Sequence, residues 1–299
     1  MAKLAMVILN YNDYEITYEY VKRIEQYGIL NRIVIVDNNS SDGSYDKLYK
    51  NCQTSKIEVL RAKENGGYAK GNNVGLRYLS SCKEKYDYVI ISNPDIVVEE
   101  STIQSLLNVI ESRNDCFAIT GEVFTSDDKR IAGFRSKLPT ICQMFIESSV
   151  ILRKSLWVLF KYGRQYKNDQ VEREGTLYKS ESLPGCFFLA NLNKFKSLGF
   201  FDEQTFLYSE EDILFSKAKA SGLKCYVVPG TKIVHAEGTT IKKNLTGWIS
   251  RERIREQSNI VYMNTCLNAS GWITKAYIFW NRLFIVGRYL NMKLRTKYY

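Results

Sequence analysis

The chain has 299 residues, of which 45% are hydrophobic and 25% charged, a composition that suits one large α/β domain or two small ones. Its formal net charge of +10 predicts an anionic partner, such as nucleic acid, a phosphorylated substrate or a membrane surface. Seven scattered cysteines without a C-x-x-C pair argue against zinc and against a disulfide framework, and favour reduced thiols in a cytoplasm. We expect neither a signal peptide nor a transmembrane helix, because the apolar run Leu4–Leu9 is short and no stretch reaches about 18 uncharged apolar residues.

Short apolar runs alternate with amphipathic stretches through the first part of the chain. The apolar runs predict strands at Leu4–Leu9, Ile33–Val36, Ile57–Leu60, Tyr88–Ile91 and Cys116–Thr120. The amphipathic stretches predict helices at Tyr14–Tyr27, Ser44–Lys50, Tyr68–Leu79 and Ser101–Ser112. Strands that alternate with helices in this way indicate βαβ units, so we expect an α/β fold with a mostly parallel, Rossmann-like sheet flanked by helices.

The second part of the chain has a weaker pattern. Residues 131–180 are basic and aromatic without a clear period, although Ile141–Phe160 could hold one or two helices. The strand and helix signals return with an apolar run at Cys186–Ala190, a helix near Glu210–Ala220 and a strand at Cys225–Val228. We therefore expect one α/β domain over residues 1–240 and a basic, aromatic helical extension over residues 241–299.

Two aspartates follow predicted strands at positions where open α/β sheets bind ligands. Pro94 ends the strand Tyr88–Ile91, because proline cannot donate to a sheet, and leaves Asp95 at its carboxyl end. Asp95 could hold Mg²⁺ or Mn²⁺, or belong to an ordinary Asn-Pro-Asp turn. Asp37 follows the strand Ile33–Val36, and could accept a hydrogen bond from a nucleotide base or a ribose, or cap a turn in its Asn/Ser-rich loop.

A glycine-rich segment, Gly66–Gly71, spans the start of the predicted helix Tyr68–Leu79. It has the glycine spacing of a phosphate-binding P-loop, but Asn72 and Asn73 stand where that loop needs Lys and Ser or Thr. The dinucleotide-binding pattern G-x-G-x-x-G is also absent. The segment therefore predicts either a plain turn or a place where the backbone approaches an anionic ligand at a helix N-terminus.

Two further groups could take part in chemistry. Ser209 and Asp212 predict a capping box at the start of the helix Glu210–Ala220, and one carboxylate of the Glu210–Asp212 cluster could also act as a general base. His235, the only histidine, could be structural or could complete a metal site with Asp95.

Six of these motifs occur in a fixed order: Val7–Asn12, Val36–Ser40, Asn65–Asn73, Asn93–Asp95, Pro184–Leu189 and Tyr208–Asp212. Together they resemble the family 2 glycosyltransferases of GT-A fold, and most of all their bacterial rhamnosyltransferase-like branch. The match spans roughly residues 4–240. Each motif alone is weak, whereas six in order with fitting spacing are specific.

The resemblance implies a role for particular residues. Tyr11 and Asp37 would hold the nucleotide base, Asn65 and Gly67 would lie along the donor, and Gly185 and Cys186 would lie beside the acceptor. Asp95 would be the metal-binding acid of the family's D-x-D motif, in which Asn93, expected among the substrate-binding residues, replaces the first aspartate. Glu211 would be the catalytic base, with Glu210 next to it as the other candidate, and His235 would join the metal.

The implied function is an inverting glycosyltransferase that depends on a divalent cation, Mg²⁺ or Mn²⁺. Its donor would be dTDP-rhamnose or a UDP-hexose, and its acceptor a lipid-linked surface polysaccharide. Two alternatives remain. A sugar nucleotidyltransferase shares the α/β architecture, but the G-x-G-T-R-L pattern of that family is absent. A non-catalytic anion- or nucleotide-binding protein would explain the charge but not the paired acids, and no nucleic-acid-binding motif is present.

The C-terminal extension carries nearly all of the net charge. Residues 241–299 contain eleven lysines and arginines and only two acids, Glu252 and Glu256. A stripe of Trp272, Ala276, Trp280, Leu283, Phe284 and Gly287 follows helical spacing. This pattern predicts a peripheral helix on the cytoplasmic face of the plasma membrane, or else a helix that packs on the catalytic domain with its charges in water.

Overall fold

The computed structural model describes residues 2–130, 137–160, 172–236 and 247–296. Its strands are β1 (Leu4–Asn10), β2 (Leu30–Asp37), β3 (Ile57–Arg61), β4 (Tyr88–Ser92), β5 (Ile96–Val97), β6 (Cys116–Phe124), β7 (Arg173–Glu174), β8 (Leu177–Ser180), β9 (Phe187–Asn191) and β10 (Lys224–His235). Its helices are α1 (Tyr14–Ile24), α2 (Ser44–Cys52), α3 (Gly67–Ser81), α4 (Glu100–Glu111), α5 (Ile141–Ser148), α6 (Val150–Phe160), α7 (Leu192–Ser197), α8 (Glu210–Ala220), α9 (Trp248–Thr265), α10 (Gly271–Leu283) and α11 (Ile285–Thr296).

All of these strands belong to one sheet, in the order β3-β2-β1-β4-β9-β6-β10-β8-β7, with β5 paired to β10. The first four strands are parallel, and β9 then lies antiparallel between β4 and β6. The order β3-β2-β1-β4 is that of a nucleotide-binding half-sheet, in which ligands bind at the carboxyl ends of the strands. The predicted α/β class and Rossmann-like sheet are therefore confirmed.

The core forms two layers because successive residues of a strand point to opposite faces of the sheet. On β1, Met6 and Ile8 face the layer covered by α1, α2 and α4, whereas Ala5 and Val7 face the layer covered by α3, α7 and α8. All four side chains are fully buried. A central strand buried on both faces reads as a continuous apolar run, which is why β1 was recognisable in the sequence.

The strand β10 continues well beyond its predicted end at Val228. The pairing register of β10 with β6 shifts between Val228 and Lys232, and Gly230 takes a positive φ of 75° there. This bulge accommodates Pro229 and Gly230, which in the sequence look like the end of a strand. The continuation matters for function because it carries His235 to the carboxyl end of the sheet.

The C-terminal helices pack on the sheet domain through a third apolar cluster of buried residues: Met144, Ile213, Tyr262, Met263 and Tyr277. These residues come from α5, α8, α9 and α10, so the extension and the catalytic domain share a core. The region Ile141–Phe160 holds two helices, as the sequence allowed. Residues 131–136, 161–171, 237–246 and 297–299 lie outside the described residues, and with them the predicted boundary near residue 240 and Lys242, Lys243 and Lys297.

Candidate active site

The antiparallel pairing of β4 with β9 brings two predicted motifs together. Ser92 pairs with Phe187, the last residue of β4 with the first of β9. Just beyond this pair, the backbone N–H of Asn93 donates to the carbonyl of Cys186 at 2.8 Å. The loop that carries Asp95 therefore lies directly against the loop that carries Gly185.

A second antiparallel pairing places His235 beside Asp95. The last residue of β10, His235, pairs with Ile96 in β5, and the N–H of Ala236 donates to the carbonyl of Asp95 at 3.0 Å. The imidazole Nε2 of His235 then lies 3.2 Å from Oδ1 of Asp95. Because Ile96 follows Asp95 directly, the backbone register alone is sufficient to bring the two side chains together.

The Asp95–His235 pair fits a divalent cation that is shared with a phosphate ligand. Within the described part of the chain, no group of three or more His, Cys, Asp or Glu residues could hold a metal. Asp95 and His235 supply only two metal ligands, which are too few for a site made by protein alone. They are sufficient where a diphosphate supplies further oxygens, which is how Mg²⁺ is usually held.

The capping box predicted at Ser209 is wrong. Tyr208 and Ser209 both have positive φ, 75° and 61°, and Ser209 makes no capping hydrogen bond to the helix α8. Its hydroxyl instead donates to Oδ1 of Asn259 in α9 at 3.0 Å, and Asp212 accepts from the hydroxyl of Ser182 at 3.3 Å. Two consecutive left-handed residues cost of order 1–3 kcal/mol each, and such strain concentrates at functional sites.

This strained turn sets the direction of the two adjacent glutamates. The carboxylate of Glu211 lies against Gly185, where an added Cβ would come within 1.9 Å of its Oε1 atom. The hydroxyl of Tyr68 donates to the carbonyl of the same glycine. Burial and the nearby charges of Asp95 and Glu211 raise the pKa of the Cys186 thiol to about 12. Cys186 is therefore a neutral thiol with both carboxylates near it.

Glu210 differs from Glu211 in its surroundings. Its side chain is 3% exposed, and its Oε2 atom is buried without a hydrogen-bond partner. Burial, together with the charge of Glu211, raises the pKa of Glu210 well above its usual value. Glu211 is half-buried and borders a large cavity. Of the two glutamates, Glu211 is therefore the one that reaches the cavity, and its role as the base stays a prediction.

The glycine-rich turn before α3 packs against the strained turn. Gly67 has a φ of 82°, and an added Cβ would lie 1.9 Å from the carbonyl oxygen of Phe206. The N–H of Tyr68 donates to that carbonyl at 2.8 Å, and the Asn65 side chain accepts from the N–H of Gly67 at 3.2 Å. Asn65 and Gly67 thus shape the turn, and their contact with a donor stays a prediction.

The geometry of Asp37 fits the turn-cap interpretation. Its carboxylate is 0% exposed and accepts from Nδ2 of Asn10 at 2.8 Å, from the Ser40 N–H at 2.9 Å and from the Ser40 hydroxyl at 2.6 Å. Tyr11 follows β1 next to this network and is half-buried. Contact of Tyr11 or Asp37 with a nucleotide base stays a prediction.

Comparison with known proteins assigns the chain to a family. The model of the family described as Glycosyl transferase family 2 matches residues 6–211, which include every motif from β1 to Glu211. The chain belongs to this family. The resemblance inferred from the six ordered motifs is therefore confirmed, and the protein is a glycosyltransferase.

Curated relatives of the glycosyltransferase are distant but cover most of its length. It is 22% identical to the low-salt glycan biosynthesis hexosyltransferase Agl10 of Haloferax volcanii, over 92% of this chain and 85% of that protein. It is also 22% identical to an N-acetylglucosaminyl-diphospho-decaprenol L-rhamnosyltransferase of Mycobacterium tuberculosis, over 80% of this chain and 76% of that protein. These names are consistent with the rhamnosyltransferase-like branch.

Solved structures confirm the fold of the glycosyltransferase. It aligns with a mannosyltransferase from Pyrobaculum calidifontis, solved with GDP-mannose and Mn²⁺, at a TM-score of 0.58 and 12% identity. The alignment covers 99% of this chain and 81% of that chain. The predicted GT-A fold is therefore correct.

Sequence patterns did not indicate one part of the site. The cavity that Glu211 borders has a volume of about 630 Å³, and its far wall is built by α9, α10 and α11. Residues of these helices, such as Arg255 and Asn259, carry no motif and are separated from Glu211 by more than forty positions in the chain. No pattern in the sequence marks them, because the strain of Tyr208 and Ser209 and the bonds of this turn to α9 appear only in the folded structure.

The raised pKa of Glu210 gives a pH-dependent prediction. A glutamate in the unfolded chain loses its proton above about pH 4.3, whereas Glu210 in the folded enzyme keeps its proton to a higher pH. The free energy of unfolding therefore falls as the pH rises from about 4.3 to the pKa of Glu210 in the folded enzyme. Glu210→Gln removes the effect. We expect the free energy of unfolding of Glu210→Gln to increase relative to that of the wild type by up to about 1.4 kcal/mol for each unit of pH increase.

Denaturant unfolding at several values between pH 5 and pH 8 measures this gain. Glu19→Gln, which changes an exposed glutamate on α1, serves as the control and should track wild type at every pH. A constant difference between Glu210→Gln and wild type across the range would show that Glu210 is ionised in the folded enzyme.

Proposed function

We propose that the enzyme is an inverting glycosyltransferase that moves a rhamnosyl or hexosyl unit from a nucleoside-diphosphate sugar to a saccharide acceptor. The observation that carries the proposal is the position of Glu211, which lies against Gly185 and borders the cavity. Cys186, the next residue, lies near both Glu211 and Asp95. Glu211, the proposed base, and Asp95, the proposed ligand of a cation that binds the diphosphate, are thus close to one another.

In the proposed reaction, Glu211 accepts the proton of an acceptor hydroxyl. The oxygen of that hydroxyl forms a bond to the anomeric carbon of the donor, and the bond from this carbon to the diphosphate oxygen breaks on the opposite face. The electron pair leaves with the nucleoside diphosphate, so the configuration at the anomeric carbon is inverted. The raised pKa of Glu210, caused by burial and by the charge of Glu211, favours the neutral form of this carboxyl beside the base.

A divalent cation, Mg²⁺ or Mn²⁺, would be held by Asp95 and His235, and when bound would neutralise charge on the departing diphosphate. The register of β5 and β10 fixes both side chains for this role. The Mn²⁺ in the Pyrobaculum mannosyltransferase supports the same proposal.

We propose dTDP-rhamnose or a UDP-hexose as donor and a lipid-linked saccharide of a surface polysaccharide as acceptor. The rhamnosyltransferase and hexosyltransferase names of the relatives support these donors. The diphospho-decaprenol acceptor in the name of the mycobacterial relative supports a lipid-linked acceptor. A thermal-shift screen of UDP, dTDP, GDP and CDP sugars with and without Mn²⁺ would identify the donor, since a ligand of the folded state raises its melting temperature.

The first test concerns the base. We expect Glu211→Gln to lower kcat by about 10²–10⁴-fold, because the amide cannot accept the proton. Donor binding, measured by calorimetry, should stay near wild type. The adjacent Glu210→Gln is the matched control and should keep most activity, since a protonated carboxyl and an amide are both neutral. If Glu210→Gln is inactive while Glu211→Gln is active, the roles are reversed; if both are active, the mechanism is wrong.

The second test concerns the cation. We expect the wild type to bind the nucleoside diphosphate of its donor more tightly with Mn²⁺ than without it, and Asp95→Ala to lose this difference. His235→Ala should reduce it. Asp87→Ala changes an exposed aspartate before the other end of β4 and should behave as wild type. Calorimetry makes the comparison, and equal affinity with and without Mn²⁺ in the wild type would refute the cation proposal.

We further propose that α10 and α11 contact the cytoplasmic surface of the plasma membrane. The two helices are separated by one residue, Phe284, and carry exposed apolar residues at helical spacing whose exposure is 56–73%: Trp272, Phe279, Leu283, Val286 and Leu290. Lys275 and Arg282 border the same shallow depression as Phe279. Apolar side chains with basic neighbours suit the interface of an anionic bilayer.

The exposed stripe differs from the one expected from the sequence. Trp280 faces inward, where its indole N–H donates to the carbonyl of Phe145 at 2.9 Å, and Phe284 packs on Trp280 with ring centroids 4.7 Å apart. The helix therefore packs on the catalytic domain with one face and presents another to its surroundings. None of the helices in the described ranges is long and apolar enough to cross a bilayer.

Liposome flotation tests the membrane proposal. The wild type should float with anionic vesicles at low salt and be released by high salt, because basic residues near such a surface contribute about 1 kcal/mol each. The double variant Phe279→Glu and Leu283→Glu should stay in solution. Tyr49→Glu, which changes an exposed aromatic residue on α2, should float as the wild type does. A wild type that ignores anionic vesicles would refute the proposal.

A further inference from the structure

The cavity beside Glu211 is separate from the donor side of the site. Its near wall is formed by the strained turn and the start of α8, with Tyr208, Ser209 and Glu211. Its far wall is formed by the C-terminal helices, with Arg255, Asn259 and Tyr277. Asp95 and His235, proposed above for the cation, do not line it. Glu211 is the one proposed reacting group that the cavity contains.

Helix α9 is bonded directly to the turn that orients the base. The hydroxyl of Ser258 donates to the carbonyl of Leu207 at 2.8 Å, and that of Ser209 donates to Asn259 at 3.0 Å. The Asn259 amide in turn donates to the hydroxyl of Tyr277 in α10 at 2.8 Å. The far wall is therefore held in a fixed position relative to Glu211.

Arg255 belongs to the far wall and contacts the near wall. Its guanidinium is 4.7 Å from the centre of the Tyr208 ring, and Nη1 is 2.5 Å from Glu252. The Arg255 side chain is 47% exposed, whereas Glu252 is buried and also pairs with Arg288 at 2.9 Å. Because Arg288 remains as a partner of Glu252, removing Arg255 does not leave a buried charge unpaired.

The lining of the cavity suits a sugar. Amide and hydroxyl groups of Asn259, Asn281 and Ser182 alternate with apolar surface from Leu183 and Met144. A sugar ring presents the same mixture of hydroxyl edges and C–H faces. The buried acids Glu252 and Glu256 on this wall are each paired with arginines, so neither carboxylate is left without a counter-charge.

We propose that this cavity is the acceptor site and that Arg255 and Asn259, from the C-terminal extension, hold an uncharged acceptor sugar against Glu211. The proposal rests on the glycosyltransferase reaction proposed above. It makes the extension a part of the active site, in addition to any contact that its outer face has with a membrane. An acceptor hydroxyl placed in the cavity would lie beside Glu211, which lines it and would accept the proton.

The chain offers a matched pair of arginines for the test. Arg253 and Arg255 are both exposed residues of α9, but Arg255 lines this cavity, whereas Arg253 lines a separate groove between α9 and α11. We expect Arg255→Ala to raise the acceptor KM about tenfold, the effect of losing a hydrogen bond to a charged group. Its donor KM should stay within about twofold of wild type, because the proposed cation ligands Asp95 and His235 do not line this cavity. Arg253→Ala should match wild type in both constants.

The assay uses the nucleotide sugar that stabilises the wild type in the thermal-shift screen, with octyl glycosides of glucose, galactose, rhamnose and N-acetylglucosamine as acceptors. Arg255→Gln, which keeps the side-chain stem, is measured alongside and should show the same rise in acceptor KM. Melting temperatures confirm that all variants fold.

Each outcome decides a separate point. An unchanged acceptor KM in both Arg255 variants would overturn this proposal while the reaction itself stands. Donor hydrolysis without transfer to any octyl glycoside would overturn the assignment of an uncharged sugar. A wild type that neither hydrolyses nor transfers any nucleotide sugar would overturn the proposed function itself.

Discussion

The site depends on one backbone constraint, the antiparallel insertion of β9 next to β4. A purely parallel sheet would bring Asp95 to its carboxyl edge, but the loop before the neighbouring strand would then lie at the opposite edge. Because β9 runs the other way, the residues that precede it, Gly185 and Cys186, meet Asn93 at the same edge, and the N–H of Asn93 donates to Cys186. Asp95 and the loop against which Glu211 lies are thus fixed by sheet hydrogen bonds rather than by loop packing.

A second constraint links helix α3 to the C-terminal helices. The turn Phe206–Ser209 accepts a hydrogen bond from the N–H of Tyr68 on one side and is bonded to Ser258 and Asn259 on the other. Gly67 permits the close approach, since a Cβ there would overlap the Phe206 carbonyl. The strain of the two left-handed residues is thus held by contacts from both sides. Glu211 follows this turn, so its direction is determined jointly by α3 and by the C-terminal helices.

The sequence predicted those parts of the molecule whose cause is local. Every strand and helix up to β6 except the two-residue strand β5 was recognisable because apolar periodicity is a local signal, and the resemblance identified Asp95, His235 and Glu211 as candidates. The signals failed where tertiary contacts decide. Pro229 and Gly230 look like a strand end but form a bulge, and Ser209 has the spacing of a capping box but bonds to Asn259 fifty residues away. The cavity wall could not be predicted, because no periodic pattern reports which helix covers an active site.

The positive charge of the C-terminal extension must also be interpreted differently once the ion-pair partners of its arginines are known. The net charge alone suggests that all lysines and arginines of the extension are available to bind anionic lipid. In the structure, Arg255, Arg282 and Arg288 pair with Glu252 and Glu256, the only two acids of the extension. Those arginines serve the fold and the cavity wall. Membrane attraction must therefore draw on the remaining cations, such as Lys275, and on apolar burial of residues such as Phe279 and Leu283. Since salt screens charge but not apolar burial, the affinity for vesicles should depend on salt less steeply than the net charge alone implies.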